Sequence, residues 1–96
     1  MEIKELVEIS HRISKEHGFW DSNPNIGEKL MLIVTELAEA CEADRKGDYE
    51  NFGEEIADVF IRLGDLCCFL DIDIEKEILK KIEINKKRQY KHGKKY

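Results

Sequence analysis

No apolar run in this chain approaches the ~20 residues that a membrane-crossing helix requires. Met1-Glu2-Ile3-Lys4-Glu5 lacks the basic-then-apolar order of a signal peptide. The three cysteines show no Cys-x-x-Cys spacing, and Cys67 and Cys68 are adjacent in an apolar stretch, which argues against a disulfide framework or a zinc site. Cys41, Cys67 and Cys68 read instead as small core residues of a protein from a reducing compartment. Sustained strand-like alternation, internal repeats and low-complexity tracts are also missing. These absences predict a single all-α domain over residues 1–96, soluble and cytoplasmic, with no membrane partner.

Charge is abundant, and it is unevenly placed. The net charge is −5, but residues 80–96 hold eight Lys and Arg against one acid, a local +7, leaving −12 on residues 1–79. An acidic body with a basic tail from about residue 80 suggests a metal-binding centre beside a group that handles an anion. The plainer alternative is a solvated tail.

Hydrophobic periodicity predicts four helices. The first covers residues 2–16, with Ile3, Leu6, Val7, Ile9 and Ile13 among charges, and ends at His17-Gly18. The second follows Pro24, has Asn25 and Glu28 in capping-box spacing, and runs to about Arg45. Its expected core stripe is Leu30, Ile33, Val34, Leu37 and Cys41, while Leu32, Glu36, Glu39 and Ala43 share another face. With apolar residues on more than one side, it reads as the central helix. Asn51, three residues before Glu54, predicts the cap of the third helix, which extends to Leu70 with Phe52, Ile56, Val59, Leu63, Leu66 and Leu70 as its stripe. Asp73 is the expected cap of the fourth, whose seam is Ile74, Ile78 and Ile82, with a frayed end beyond about Tyr90. Short connections imply an antiparallel helical bundle. The surplus apolar faces imply that oligomerisation completes it.

Two acidic signatures interrupt the apolar runs: Glu36-Leu37-Ala38-Glu39 and Glu55-Ile56-Ala57-Asp58. Spacing i,i+3 puts each pair of carboxylates one helical turn apart, so each pair can share a ligand. Unpaired charges on core-like faces are costly, and a hard divalent cation is the simplest counter-charge for four converging acids. Arg62 sits one turn beyond Asp58.

From about His17 to Gly93 the chain resembles the MazG-like superfamily of all-α nucleoside triphosphate pyrophosphohydrolases, related to the dimeric dUTPases and dCTP pyrophosphatases. That family's pattern is Glu-Glu-x-x-Glu, a spacer, then Glu-x-x-Asp. Here it reads Thr35-Glu36-Leu37-Ala38-Glu39, fifteen intervening residues, then Glu55-Ile56-Ala57-Asp58, with Thr35 in place of the first glutamate. The resemblance implies that Glu36, Glu39, Glu55 and Asp58 hold Mg²⁺ or Mn²⁺ and act in catalysis. It implies that Lys81, Asn85 and Arg88, on one arc of the fourth helix, contact the nucleotide, and that Trp20, with Phe19, lies near the base. The implied reaction converts a (d)NTP and water to a (d)NMP and pyrophosphate, with Glu36 or Glu39 accepting the proton of water, in a homodimer or homotetramer. Glu54 reads as a supporting or solvent-facing residue.

Two other classes compete with the enzyme. A non-catalytic metal-binding scaffold gains some support from Glu8-Ile9-Ser10-His11, one Glu-x-x-His where a di-iron bundle needs two. On that count His11 reads as an ordinary helix residue. A nucleic-acid module built on the basic tail is disfavoured, because the acidic body would repel a phosphate backbone and only Tyr90 and Tyr96 interleave with the tail's charges.

Overall fold

The computed structural model describes residues 1–88 and is all-α over them, with four helices: α1 Ile3–Glu16, α2 Ile26–Lys46, α3 Tyr49–Phe69 and α4 Ile74–Lys86. The end beyond Tyr90 lies outside the described residues. Local chemistry sets most boundaries. The Asn25 side chain accepts from Glu28 N at the start of α2, and Asp73 accepts from Lys76 N at the start of α4. Each bond satisfies an amide that has no partner within the helix. The start of α3 differs from expectation: Asp48 is the cap, accepting from Asn51 N, so the helix begins one turn earlier. Asp48 can do so because Gly47 takes the left-handed conformation (φ 72°) that ends α2, returning the chain at once as an α2–α3 hairpin.

The central helix is α3, not α2. It packs against α2 on one side and α1 on the other, whereas α4 touches α1 only lightly. Gly64 makes the α1–α3 approach close: a Cβ there would lie 3.4 Å from Val7 Cα and 3.5 Å from Ser10 Oγ. Ser10 is accordingly the buried residue of α1. Those separations are ordinary contact distances, so Gly64→Ala is expected to be tolerated. Gly64→Leu should wedge the helices apart and cost about 1–3 kcal/mol in a urea melt.

The expected stripe of α2 is largely inverted. Ile33 is buried, together with Glu36, Ala40 and Ala43, while Leu30, Val34, Leu37 and Cys41 face outward. The small Ala40 and Ala43 let α3 come close, which explains why this face wins although it is the less apolar one. On α3, Gly64, Leu66 and Cys67 are buried, but Phe52, Leu63 and Leu70 of the expected stripe are exposed, as is Phe60 at 58 %. Helix α4 buries nothing, leaving its Ile78 and Ile82 uncovered.

The result is an open structure with a thin core. Among the described residues only five hydrophobic ones are buried, three of them Ala or Cys, and no side chain is completely enclosed. The radius of gyration is 15.9 Å, against about 12 Å for a compact chain of this length. Its accessible surface is 7808 Å², about 2,000 Å² above that of a typical folded monomer of its mass. No described helix is long and apolar enough to cross a membrane.

Candidate metal and nucleotide site

The inner face of α2 reads Lys29, Ile33, Glu36, Ala40 and Ala43, an alternation of four- and three-residue steps that keeps these residues on one stripe. Glu55, Asp58, Arg62, Asp65 and Phe69 follow the same kind of steps on α3. Where the two helices meet, carboxylate oxygens of Glu36, Glu39 and Glu55 lie within 4.8 Å of one another. These are three of the four acids singled out in the sequence. Asp58 is one turn further along α3 and exposed; with Glu36 it forms part of the wall of an adjoining cavity. Glu54 is exposed, as expected.

The cluster is electrostatically strained. Glu36 is only 9 % exposed, and its Oε1 accepts from Arg62 Nε at 3.1 Å. Burial raises the pKa of Glu36, but hydrogen bonding with Glu55 and the Arg62 guanidinium outweigh it and hold this carboxyl below its ordinary range. Glu55 moves the other way. Hydrogen bonding to Glu36 and Glu39, burial and repulsion by the same two acids push it up to about 7. Its Oε2 is buried with no hydrogen-bond partner, an arrangement that folding tolerates poorly unless something fills the gap.

Two cavities flank the acids. The larger, of about 430 Å³, has walls from α1, α2 and α3 and contains Trp20, Lys29, Glu36, Asp58, Arg62 and Asp65 among apolar side chains. The smaller, of about 220 Å³, is more polar and includes Glu39, Glu55, Lys46 and Asn51. The carboxylates thus stand between an apolar chamber and a polar one.

At the far end of the larger cavity, the turn after α1 is tied down by several contacts. Lys29 Nζ donates to Phe19 O at 2.9 Å, and Trp20 Nε1 donates to Asp65 Oδ1 at 2.9 Å. Trp20 stacks on Phe69 with centroids 4.1 Å apart and 11° between planes, while Lys29 Nζ lies 4.5 Å from its centroid. With an aromatic and an ammonium both on the indole, Trp20 borders the cavity as a braced wall; Phe19 is the exposed aromatic there.

Two residues of this chamber, Asp65 and Lys29, and one behind its wall, His11, are assigned no role in the sequence analysis above. His11, expected to be an ordinary helix residue, has its Nδ1 2.8 Å from Asp65 Oδ1, and its ring meets Trp20 edge-on at 5.7 Å. Asp65 carried no motif, yet its place one turn past Arg62 on the Glu55–Asp58 face was available as a signal. Lys29 was likewise available, seven residues before Glu36. Thr35 turns its hydroxyl back to Leu32 O at 2.6 Å and takes no part in the cluster. Lys81, Asn85 and Arg88 are exposed and contribute to neither cavity. Arg88 lies two residues past the end of α4, so the single helical arc expected for the three is kept only by Lys81 and Asn85. Comparison with protein-family models, with curated proteins and with solved structures returned no match.

Proposed function

We propose that the protein is a divalent-cation-dependent nucleoside triphosphate pyrophosphohydrolase, converting a (d)NTP and water to a (d)NMP and pyrophosphate. The observation that carries this reading is the orphaned, buried Glu55 Oε2 inside a three-carboxylate cluster that adjoins a chamber with room for a nucleoside. An all-oxygen donor set of clustered carboxylates suits a hard cation such as Mg²⁺ or Mn²⁺. Glu36, Glu39 and Glu55 would hold it, with Asp58 one turn away as the fourth acid. Bound there, such an ion supplies charge neutralisation for phosphate and a lowered pKa for water.

The chain's own groups account for the rest. Arg62, beside Glu36, offers a cation on the larger cavity to balance phosphate oxygens, while Lys29 braces the far end. Glu36 is tied to Arg62, whereas Glu39 is exposed beside the smaller cavity, so Glu39 would hold the ion through one oxygen and leave the other to take the proton of the attacking water. Water adds to the α-phosphorus, the bond to the bridging oxygen breaks, and pyrophosphate leaves.

The working unit in this proposal is a homo-oligomer. An excess of about 2,000 Å² per chain is about 4,000 Å² per pair, within the roughly 2,000–5,000 Å² total that obligate interfaces bury. The uncovered Met31, Val34, Leu37, Phe60 and Leu63 supply apolar area for one. Helix α4, none of whose residues is buried, gains a surface to pack on, and its Lys81 and Asn85, with Arg88 just past its end, gain a route to the triphosphate of a neighbouring copy.

A panel of NTPs and dNTPs with Mg²⁺ tests the reaction. Monophosphate and pyrophosphate are the expected products. Diphosphate with orthophosphate would refute the bond assignment, and no turnover of any nucleotide would refute the enzyme.

A further inference from the structure

One carboxylate of the larger cavity has no part in the hydrolytic chemistry. Asp65 shares the α3 face of Glu55 and Arg62 and lies ten residues beyond Glu55, about 15 Å along the axis at ~1.5 Å per residue. That separation is comparable to the reach of an extended nucleotide from its β-phosphate to the far edge of its base. Asp65 is also held in place from two sides. Trp20 Nε1 and His11 Nδ1 both bond to Oδ1, at 2.9 and 2.8 Å, and as a carboxylate only accepts, it selects the Nδ1–H form of His11. Oδ2 keeps its acceptor capacity. The side chain is 16 % exposed and borders the cavity beside apolar Ile61 and Leu66.

A fixed acceptor in an apolar chamber discriminates by what it faces. A ligand N–H is rewarded, whereas a carbonyl oxygen brings two acceptors together and leaves both unpaired. Cytosine and adenine present an exocyclic amino group, and guanine an amino group beside a ring N–H. Uracil and thymine present one N–H between two carbonyl oxygens, so either carbonyl is brought against the carboxylate. Resting on the nucleotide reading above, we infer that the larger cavity is a nucleobase subsite selective for bases with an exocyclic amino group, and that Asp65 is the residue that discriminates. Trp20 and His11 are then positioning residues, which hold the carboxylate.

Trp20 is the chain's single tryptophan, and its indole N–H touches Asp65, so its fluorescence reports on this subsite directly. The full chain, without metal, is titrated with dCMP, dAMP, dGMP, dUMP and dTMP, and calorimetry supplies the same constants free of nucleotide absorbance. The amino-bearing nucleotides are expected to bind at least about tenfold more tightly than dUMP and dTMP. Asp65→Asn, which adds a donor while keeping an acceptor for Trp20, should collapse or invert that ratio with helicity unchanged. Equal binding of all five by the wild-type chain, no binding of any, or an unchanged ratio in a folded Asp65→Asn overturns the inference. Pyrophosphate release from the five triphosphates separates the two readings. Turnover without base preference removes the subsite alone; base-selective binding without pyrophosphate removes the reaction and leaves the subsite.

Discussion

Replacing Glu55 with Gln is expected to abolish pyrophosphate release, lowering kcat/KM by about a hundred- to a thousandfold or more, while raising the melting temperature of the metal-free protein at pH 8. The two effects have one cause. Glu55 is pushed up to about 7 from an ordinary 4.5 by the acids around it. Between about pH 4.5 and 7 the folded chain therefore holds this proton more tightly than the unfolded chain, so its contribution to stability declines as pH rises through that window. At pH 8 the carboxylate is charged and the repulsion is fully felt. Gln has no charge to lose, so the variant should melt above wild type at pH 8 and close to it at pH 5. Glu36 works in the opposite direction. Its lowered pKa stabilises the fold above its unfolded value and is lost on acidification through the folded one. Hydrogen bonding with Glu55 is part of that lowering, so the Glu36 contribution differs between the two proteins, but by an offset nearly constant above its unfolded value; the test is therefore the change in their melting-temperature difference between pH 5 and pH 8. Added Mg²⁺ should raise the melting temperature of wild type at pH 8 and have much less effect on Glu55→Gln, since a metal that binds only the folded state stabilises it by mass action. Undiminished turnover in Glu55→Gln, or an equal response to Mg²⁺ in both proteins, would remove the cluster from the mechanism. Asp58→Asn makes a useful companion, because Asp58 stands in the cavity wall and not among the three clustered acids.

Charging the outer face of α2 should have the largest structural consequence. Val34→Glu combined with Leu37→Glu is expected to convert a homo-oligomer into a monomer in sedimentation and to lower the melting temperature by ten degrees or more. Both positions are about half exposed in the single chain, so within one chain the change would be nearly neutral. In an interface the same change buries two unpaired carboxylates, a penalty of about 3 kcal/mol or more, which for a domain of this size is roughly 12–24 °C. The prediction therefore discriminates sharply between a stable monomer and an assembly. A wild-type chain that sediments as a monomer, or a double variant that keeps the wild-type mass, would contradict the assembled working unit.

Much of the fold was legible from local chemistry. Four helices, the Asn25 and Asp73 caps, and the break at Gly18 depend on residues within one turn of one another, and the chain order states those directly. The convergence of Glu36, Glu39 and Glu55 was also legible, because i,i+3 spacing fixes one face of each helix and a two-residue connection forces the helices side by side. Which face of α2 turns inward was not. Two stripes compete there, and the more apolar one lost, because Ala40 and Ala43 permit a close approach that Val34 and Leu37 do not. Asp65 and His11 stayed hidden for a related reason. They are 54 residues apart, and each is unremarkable on its own helix; they acquire a role only when Gly64 lets α1 and α3 approach and the turn after α1 brings Trp20 onto the same carboxylate. Periodicity thus settled the helices and the three clustered acids. The choice among competing faces, and with it the chamber beside those acids, belonged to the packing of side chains between helices, a many-body contest that no single stretch of sequence records.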